Sequence, residues 1–358
     1  MMFDGAGPRL PKYLAACCAA LIAYACLYPF SGWQASGLPP LDYLAAPWPK
    51  YLRSEDLVVN VLGYVPLGFL LVPALPRRWH PLAAMLAAIG LGAAFSFAIE
   101  TTQNFLPARV ASNVDLGCNT LGALIGAIAG AACGRALFDP AGFLHRWRVA
   151  NIVRGRAGDT GLILLGLWLL AQSMPDAALF SAGDLRRLLD LHTPMPFQPR
   201  PFITLEAAMV ATGLLAMGLF ARCMLQSARL WPALAVLAGG IAVKAAATTM
   251  FVVPGDAWLW LTPGTRNGLI VGGGLLLVAL MLPRVLQHAL AGMALLGAAL
   301  LANLIPENPY LAGSPRLVSG TFQNFHGLAR AVAGGWPLLA LAWLSALGIW
   351  RGEHLRDR

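Results

Sequence analysis

Long apolar runs, closed by a proline, a glycine or a short basic stretch, recur along the whole chain. They fall at about 13–30, 56–73, 81–100, 115–134, 161–180, 201–221, 231–251, 266–282, 289–305 and 335–350. A hydrocarbon core of about 30 Å needs roughly 17–25 helical residues, which most of these runs supply. In lipid every backbone polar group must be satisfied within its own segment, so single runs of this length predict helices. The pattern predicts an all-α, polytopic transmembrane protein of about ten spans. Tyr43, Trp48, Tyr51, Trp231, Trp258, Trp260, Trp336 and Trp350 stand near run ends, where amphipathic rings suit the membrane interface.

Composition agrees with that reading. Of 358 residues, 58% are hydrophobic and 11% are charged, against about 25% charged in a soluble domain. The net charge of +9 would admit a nucleic-acid partner if the basic residues clustered on one soluble face. They lie instead in short connections, where they set orientation, and no nucleic acid is expected. With the N-terminus inside, 15 Lys and Arg fall on the inner side and 9 on the outer, with Lys244 left within a span. That bias predicts N-in and C-in. Asp56, Glu100, Arg109 and Asp115 would then face outward.

The longest basic inner segment divides the chain into residues 1–134, a four-helix part, a linker over 135–160, and residues 161–358, a six-helix part. In the linker Phe143, Leu144, Trp147 and Val153 alternate with Arg146, Arg148, Arg154 and Arg156, the pattern of a helix lying on anionic lipid. Asp184 to His192 predicts a shorter surface helix. The six cysteines have neither metal-ligand nor disulfide-framework spacing, so no metal and no cofactor is expected.

The polar exception is Glu100 to Gly122, E-T-T-Q-N-F-L-P-A-R-V-A-S-N-V-D-L-G-C-N-T-L-G. Ionisable groups at membrane depth are expensive and mark candidate sites. Asp56-Leu-Val-Val-Asn60-Val-Leu-Gly63 recurs as Asp115-Leu-Gly-Cys-Asn119-Thr-Leu-Gly122, a D-L-x-x-N-x-L-G repeat in which both copies open a span from the same side. Each Asp suits a helix N-terminus, each Asn lies one turn deeper, and each Gly would allow close helix approach. If the second to fourth spans pack together, Asp56, Asn60, Glu100, Gln103, Arg109, Asp115 and Asn119 converge, with Ser96 a turn below Glu100. Arg109 could hold a protein carboxylate or a phosphate, since its planar fork fits both. Capping and packing explain these residues as well as a binding site does. In the back part, Glu206 and Lys244 lie at similar depth in neighbouring spans and are expected to approach as a buried ion pair.

The order and spacing of Asp56, Asn60, Pro66, Leu67 and Gly68, then Ser96, Ile99, Glu100, Gln103, Pro107 and Arg109, then Asp115, Asn119 and Gly122 resemble the VanZ-like family. The resemblance covers about residues 15–135. The family is named for a protein associated with teicoplanin resistance in glycopeptide-resistant bacteria. The resemblance implies a multi-pass protein of the bacterial cytoplasmic (inner) membrane with a role in the cell envelope, and it supplies no reaction.

Three functions fit. The first is binding, remodelling or shielding of an anionic outer-leaflet lipid or lipid-linked glycan, with membrane lipids or a cell-wall precursor as partner. An enzymatic version would use Glu100 or Asp115 as general base. Ser112 and Cys118 have no base at recognisable spacing, and catalysis is the weaker expectation. The second is a transporter or flippase. The third is a non-catalytic membrane scaffold.

Overall fold

The computed structural model describes residues 9–28, 30–35, 37, 39–48, 54–107, 109–139, 142–174, 176–186, 189, 193–251, 256–309 and 322–356. The side chains of residues 9, 54–56, 135, 250–251, 322–326 and 349–356 lie outside that description. The fold is all-α; among the described residues the one bridge of strand type is an isolated pair, Ile152 with Leu225. The chain forms two compact units, Met1–Val149 and Ala150–Arg358. Their boundary falls inside the segment 135–160 expected to link them.

Unit 1 contains α1 (Arg9–Leu27), α2 (Ser54–Ala74), α3 (Pro81–Gln103) and α4 (Asn113–Ala129). α4 continues through a π-helical turn, Gly130–Gly134, into α5 (Arg135–Phe138). The helix starts are written locally. Pro81 occupies the first turn of α3, where its missing N–H costs nothing, and His80 accepts from Leu82 N. Ser112 caps α4 by accepting from Val114 N and Asp115 N.

A row of glycines decides how α2 and α4 meet. Gly122, Gly126 and Gly130, four residues apart, share one face of the α4 helix and its π-helical continuation. A Cβ at these positions would overlap the carbonyl oxygens of Val61, Val65 and Phe69, which follow the same spacing on α2. Gly68 in turn lies against the Ala123 carbonyl. Backbones this close gain dispersion contacts that lipid would not displace.

Unit 2 contains α7 (Gly155–Ala171), α8 (Pro199–Met224), α9 (Trp231–Phe251), α10 (Pro263–Leu280), α11 (Arg284–Leu304) and α12 (Phe322–Arg356). A short α6 (Phe143–Asn151) spans the boundary between the units, with Phe143 and Leu144 exposed. α8 packs against α9, α10 and α11 and buries Val210, Met217, Leu219 and Phe220. Two buried tryptophans tie α12 to α7: Trp336 Nε1 donates to Leu164 O at 2.7 Å and Trp343 Nε1 to Ala157 O at 2.8 Å. α10 carries its own glycine row, Gly264, Gly268 and Gly272, against Glu206, Ala207, Val210 and Ala211 of α8.

Among the described residues, 8 helices are long and apolar enough to cross a membrane. The other two expected spans, 161–180 and 266–282, correspond to α7 and α10. α7 has 17 residues, about 25 Å of helix, and ends at Ala171 where a span to residue 180 was expected. α10 has 18 residues and carries Arg266 and Asn267 near its start. Much of the surface helix expected over Asp184 to His192 lies outside the described residues, which there are 184–186 and 189; Asp184 turns back onto Arg186, and Leu189 N donates to Leu185 O at 2.9 Å.

Candidate functional site

The start of α2, the end of α3 and the start of α4 come together at one end of unit 1, and the predicted polar residues gather there. Asn60 Nδ2 donates to Asp115 Oδ1 at 2.7 Å. The two D-x-x-x-N copies therefore interlock, the amide of the first binding the carboxylate of the second. Deeper in, Asn119 Nδ2 donates to Ser96 Oγ at 3.0 Å, and both residues are buried. Glu100, 3% exposed, accepts from Ser112 N at 2.9 Å. Ser112 is the cap of α4, so this bond fixes the end of α3 to the start of α4.

Gln103 and Arg109 turn towards α1. Gln103 Nε2 donates to Cys26 O at 3.0 Å. Arg109 Nη2 donates to Ala25 O at 3.1 Å and to Tyr28 O at 3.3 Å. Helix C-termini leave carbonyls unsatisfied and carry partial negative charge, so a guanidinium there is doubly favourable. Among the described residues, Arg109 thus donates to backbone carbonyls, neither to Glu100 nor to Asp115. Burial pulls its pKa below the ordinary guanidinium value, with Cys26 opposing. Two buried atoms of the cluster, Arg109 Nε and Asn119 Oδ1, have no hydrogen-bond partner among the described residues.

Asp56 lies in the first turn of α2, with its side chain outside the described residues. Gly63 departs from expectation. Its repeat partner Gly122 packs against α2, but a Cβ at Gly63 would meet nothing within 4 Å.

Residues with no sequence signal complete this end. The connection 30–48 includes a 3-10 turn, Asp42–Ala45, held over α3 and α4 by side chains. Tyr43 OH lies 3.2 Å from Thr101 Oγ1, Asn104 Nδ2 donates to Pro40 O at 2.7 Å, and Asn113 Nδ2 donates to Ala46 O at 2.8 Å. Only the tertiary structure brings these pairs together. The glycine rows, by contrast, had a readable signal in their four-residue period.

Residues 14–133 match the VanZ/LLP1 family model. The VanZ-like segment therefore contains every polar residue of this cluster and none of unit 2. The chain has no match among curated proteins and none among solved structures. With its long apolar helices, it is a multi-pass membrane protein with a VanZ-like front segment.

In unit 2, Glu206 and Lys244 are each held by a separate set of groups. Glu206 accepts from Thr262 Oγ1 at 2.6 Å and Thr265 Oγ1 at 3.4 Å. Lys244, 1% exposed, donates to the carbonyls of Met174, at 2.5 Å, and Ala177. Two ion pairs lie nearby, Arg330 with Asp176 at 2.8 Å and Arg186 with Asp184 at 2.6 Å. The hydrogen bonds that Arg186 donates to Asp184 raise its pKa, against its desolvation.

Proposed function

We propose that the VanZ-like unit binds the headgroup of an envelope component, an anionic lipid or lipid-linked glycan, at the outer leaflet of the bacterial cytoplasmic membrane. Shielding or remodelling that component would be its cellular effect, with glycopeptide resistance one form such an effect could take. The observation that carries this reading is unspent hydrogen-bonding capacity in a buried polar cluster. A buried polar atom without a partner costs about 1–3 kcal/mol, and Arg109 Nε and Asn119 Oδ1 are two such atoms. A phosphate on Arg109 and sugar hydroxyls on the amides and carboxylates would offset that cost.

Binding is favoured over catalysis because the two candidate bases are engaged in holding helices. Glu100 accepts from the cap of α4, and Asp115 accepts from Asn60. The second reading is a membrane scaffold, and one feature favours it: Arg109 closes the carbonyl end of α1. A transporter or flippase remains a third reading, supported by the charged interior of unit 2.

Native mass spectrometry of the detergent-purified chain tests the proposal, with wild type compared with Arg109→Gln and Asn119→Leu. Binding predicts that wild type retains a defined anionic lipid or lipid-linked sugar and that both variants lose most of it while melting within a few degrees of wild type. Retention unchanged in both variants, or equally empty spectra at equal stability, would leave the scaffold reading in its place.

A further inference from the structure

A cavity of about 70 Å³ opens in unit 2 between α8, α11, α12 and the segment after α7. A water needs about 10–15 Å³ of such space, so roughly five would fit, the room of a small organic molecule. Its wall combines apolar side chains, among them Phe202, Met209 and Ile305, with charges of both signs. Nothing in the VanZ-like segment contributes to it.

We propose that this cavity binds a small zwitterion, a molecule carrying an ammonium and an acidic group a few bonds apart. Its two arginines differ in what they have left to give. Arg186 is committed through all three nitrogens: Nε and Nη2 go to Asp184, and Nη1 goes to Ile305 O at 2.7 Å. Arg330 gives Nη2 to Asp176 in a one-point contact, which leaves its fork able to take a second oxyanion. The acids differ likewise. Of the four acids in the wall, Asp176 and Asp184 face guanidinium groups and Glu307 stands at the far end of α11, whereas Glu206 accepts from two threonine hydroxyls. Lys244, within α9, donates to backbone carbonyls.

A charge in a largely apolar interior favours a direct counter-charge over a hydroxyl. An ammonium at Glu206 and an acidic group at Arg330 would complete both, with the carbon skeleton against Phe202 and Met209. Two sources share this chemistry, a free metabolite-sized zwitterion and the headgroup of an ethanolamine lipid. The proposal does not depend on the function assigned to unit 1.

The test is isothermal titration of the full-length protein in detergent with O-phosphoethanolamine, and separately with ethanolamine and with inorganic phosphate. The zwitterion should bind at least about tenfold more tightly than either half. Arg330→Gln should weaken it about tenfold, and Glu206→Gln should do the same. A parallel arm compares lipid retained from nanodiscs of phosphatidylethanolamine with that retained from phosphatidylcholine. If only the lipid arm responds, and through the same two residues, the source is the lipid and the site stands. The proposal fails if neither arm shows binding, or if zwitterion and halves bind alike. It also fails if well-folded Arg330→Gln and Glu206→Gln bind as wild type does; the comparison of half-ligands on wild type needs no variant to fold.

Discussion

Each unit is zipped along a glycine row, and the two rows end differently. In unit 1, Gly122, Gly126 and Gly130 bring the chain from α4 onward against α2, and the polar groups at the end of the row bond one another across helices: Asn60 with Asp115, Ser96 with Asn119, Glu100 with Ser112. In unit 2, Gly264, Gly268 and Gly272 bring α10 against α8, and the row ends on Glu206, whose other neighbours line a cavity. The same packing device supports opposite outcomes because the polar residues differ. In unit 1, amides, hydroxyls and single carboxylates bond one another helix to helix and leave single buried atoms, Arg109 Nε and Asn119 Oδ1, without a partner among the described residues. Arg330 and Glu206 on helices, with Arg186 and further carboxylates on irregular segments, leave a polar space between them. A glycine row fixes where backbones meet; the side chains at its end decide whether they bond one another or stand around a cavity.

The largest expected effect tests the rows themselves. Gly126→Val and Gly268→Val should each destabilise the protein by about 3 kcal/mol or more, since the added carbons meet backbone, which cannot rotate away. Melting temperature and monodisperse yield in detergent would measure this. If one variant melts like wild type, the two rows are not equivalent and the comparison breaks there.

Double-mutant cycles sharpen the difference at the row ends. For Asn60 and Asp115 the coupling should lie near the membrane range of about 0.6–1.7 kcal/mol. For Thr262 and Glu206 it should be at the upper end or above, because the hydroxyl is the hydrogen-bond donor at 2.6 Å to a carboxylate 3% exposed. Thr262 also caps α10 through Thr265 N, so the single change alone costs about 1 kcal/mol more, which the cycle subtracts. Equal couplings would mean that the open space around Glu206 does not matter energetically.

The smallest effect separates the two copies of the repeat. Gly63→Ala should stabilise by about 0.4–1 kcal/mol, since open space surrounds the site and the unfolded chain loses freedom. Gly122→Ala should destabilise, because Val61 O occupies the place of its Cβ. Thermal melts of both variants check the signs, and equal signs would refute the asymmetry.

Much of the front cluster was readable before any coordinates. The interruption of apolar sequence by Glu100, Gln103, Arg109 and Asp115 marked where polar groups gather in unit 1, since ionisable groups in such a chain are costly and draw partners. The D-x-x-x-N spacing also put each Asn one turn below its Asp. The meaning of each residue was less readable. Arg109 fits a carboxylate or a phosphate equally well by its type. It meets the last carbonyls of α1, which lie more than 80 residues away in sequence. Gly63 and Gly122 hold the same place in their repeats, yet only one faces another helix. Glu206 and Lys244 share a depth, but depth says nothing of rotation about the helix axis, and each turns to a different set of neighbours.

By itself the sequence determined that this chain is helical, that it lies in a membrane, where its polar end falls, and that its first part is VanZ-like. Those features follow from run length, period and motif, which are local. Only the tertiary structure decided that the two repeat copies bind each other, that an arginine caps the first helix, and that charges from distant segments of unit 2 enclose a cavity. Each of these depends on which faces of separate helices meet, and in this chain glycine rows and a few long-range hydrogen bonds make that choice.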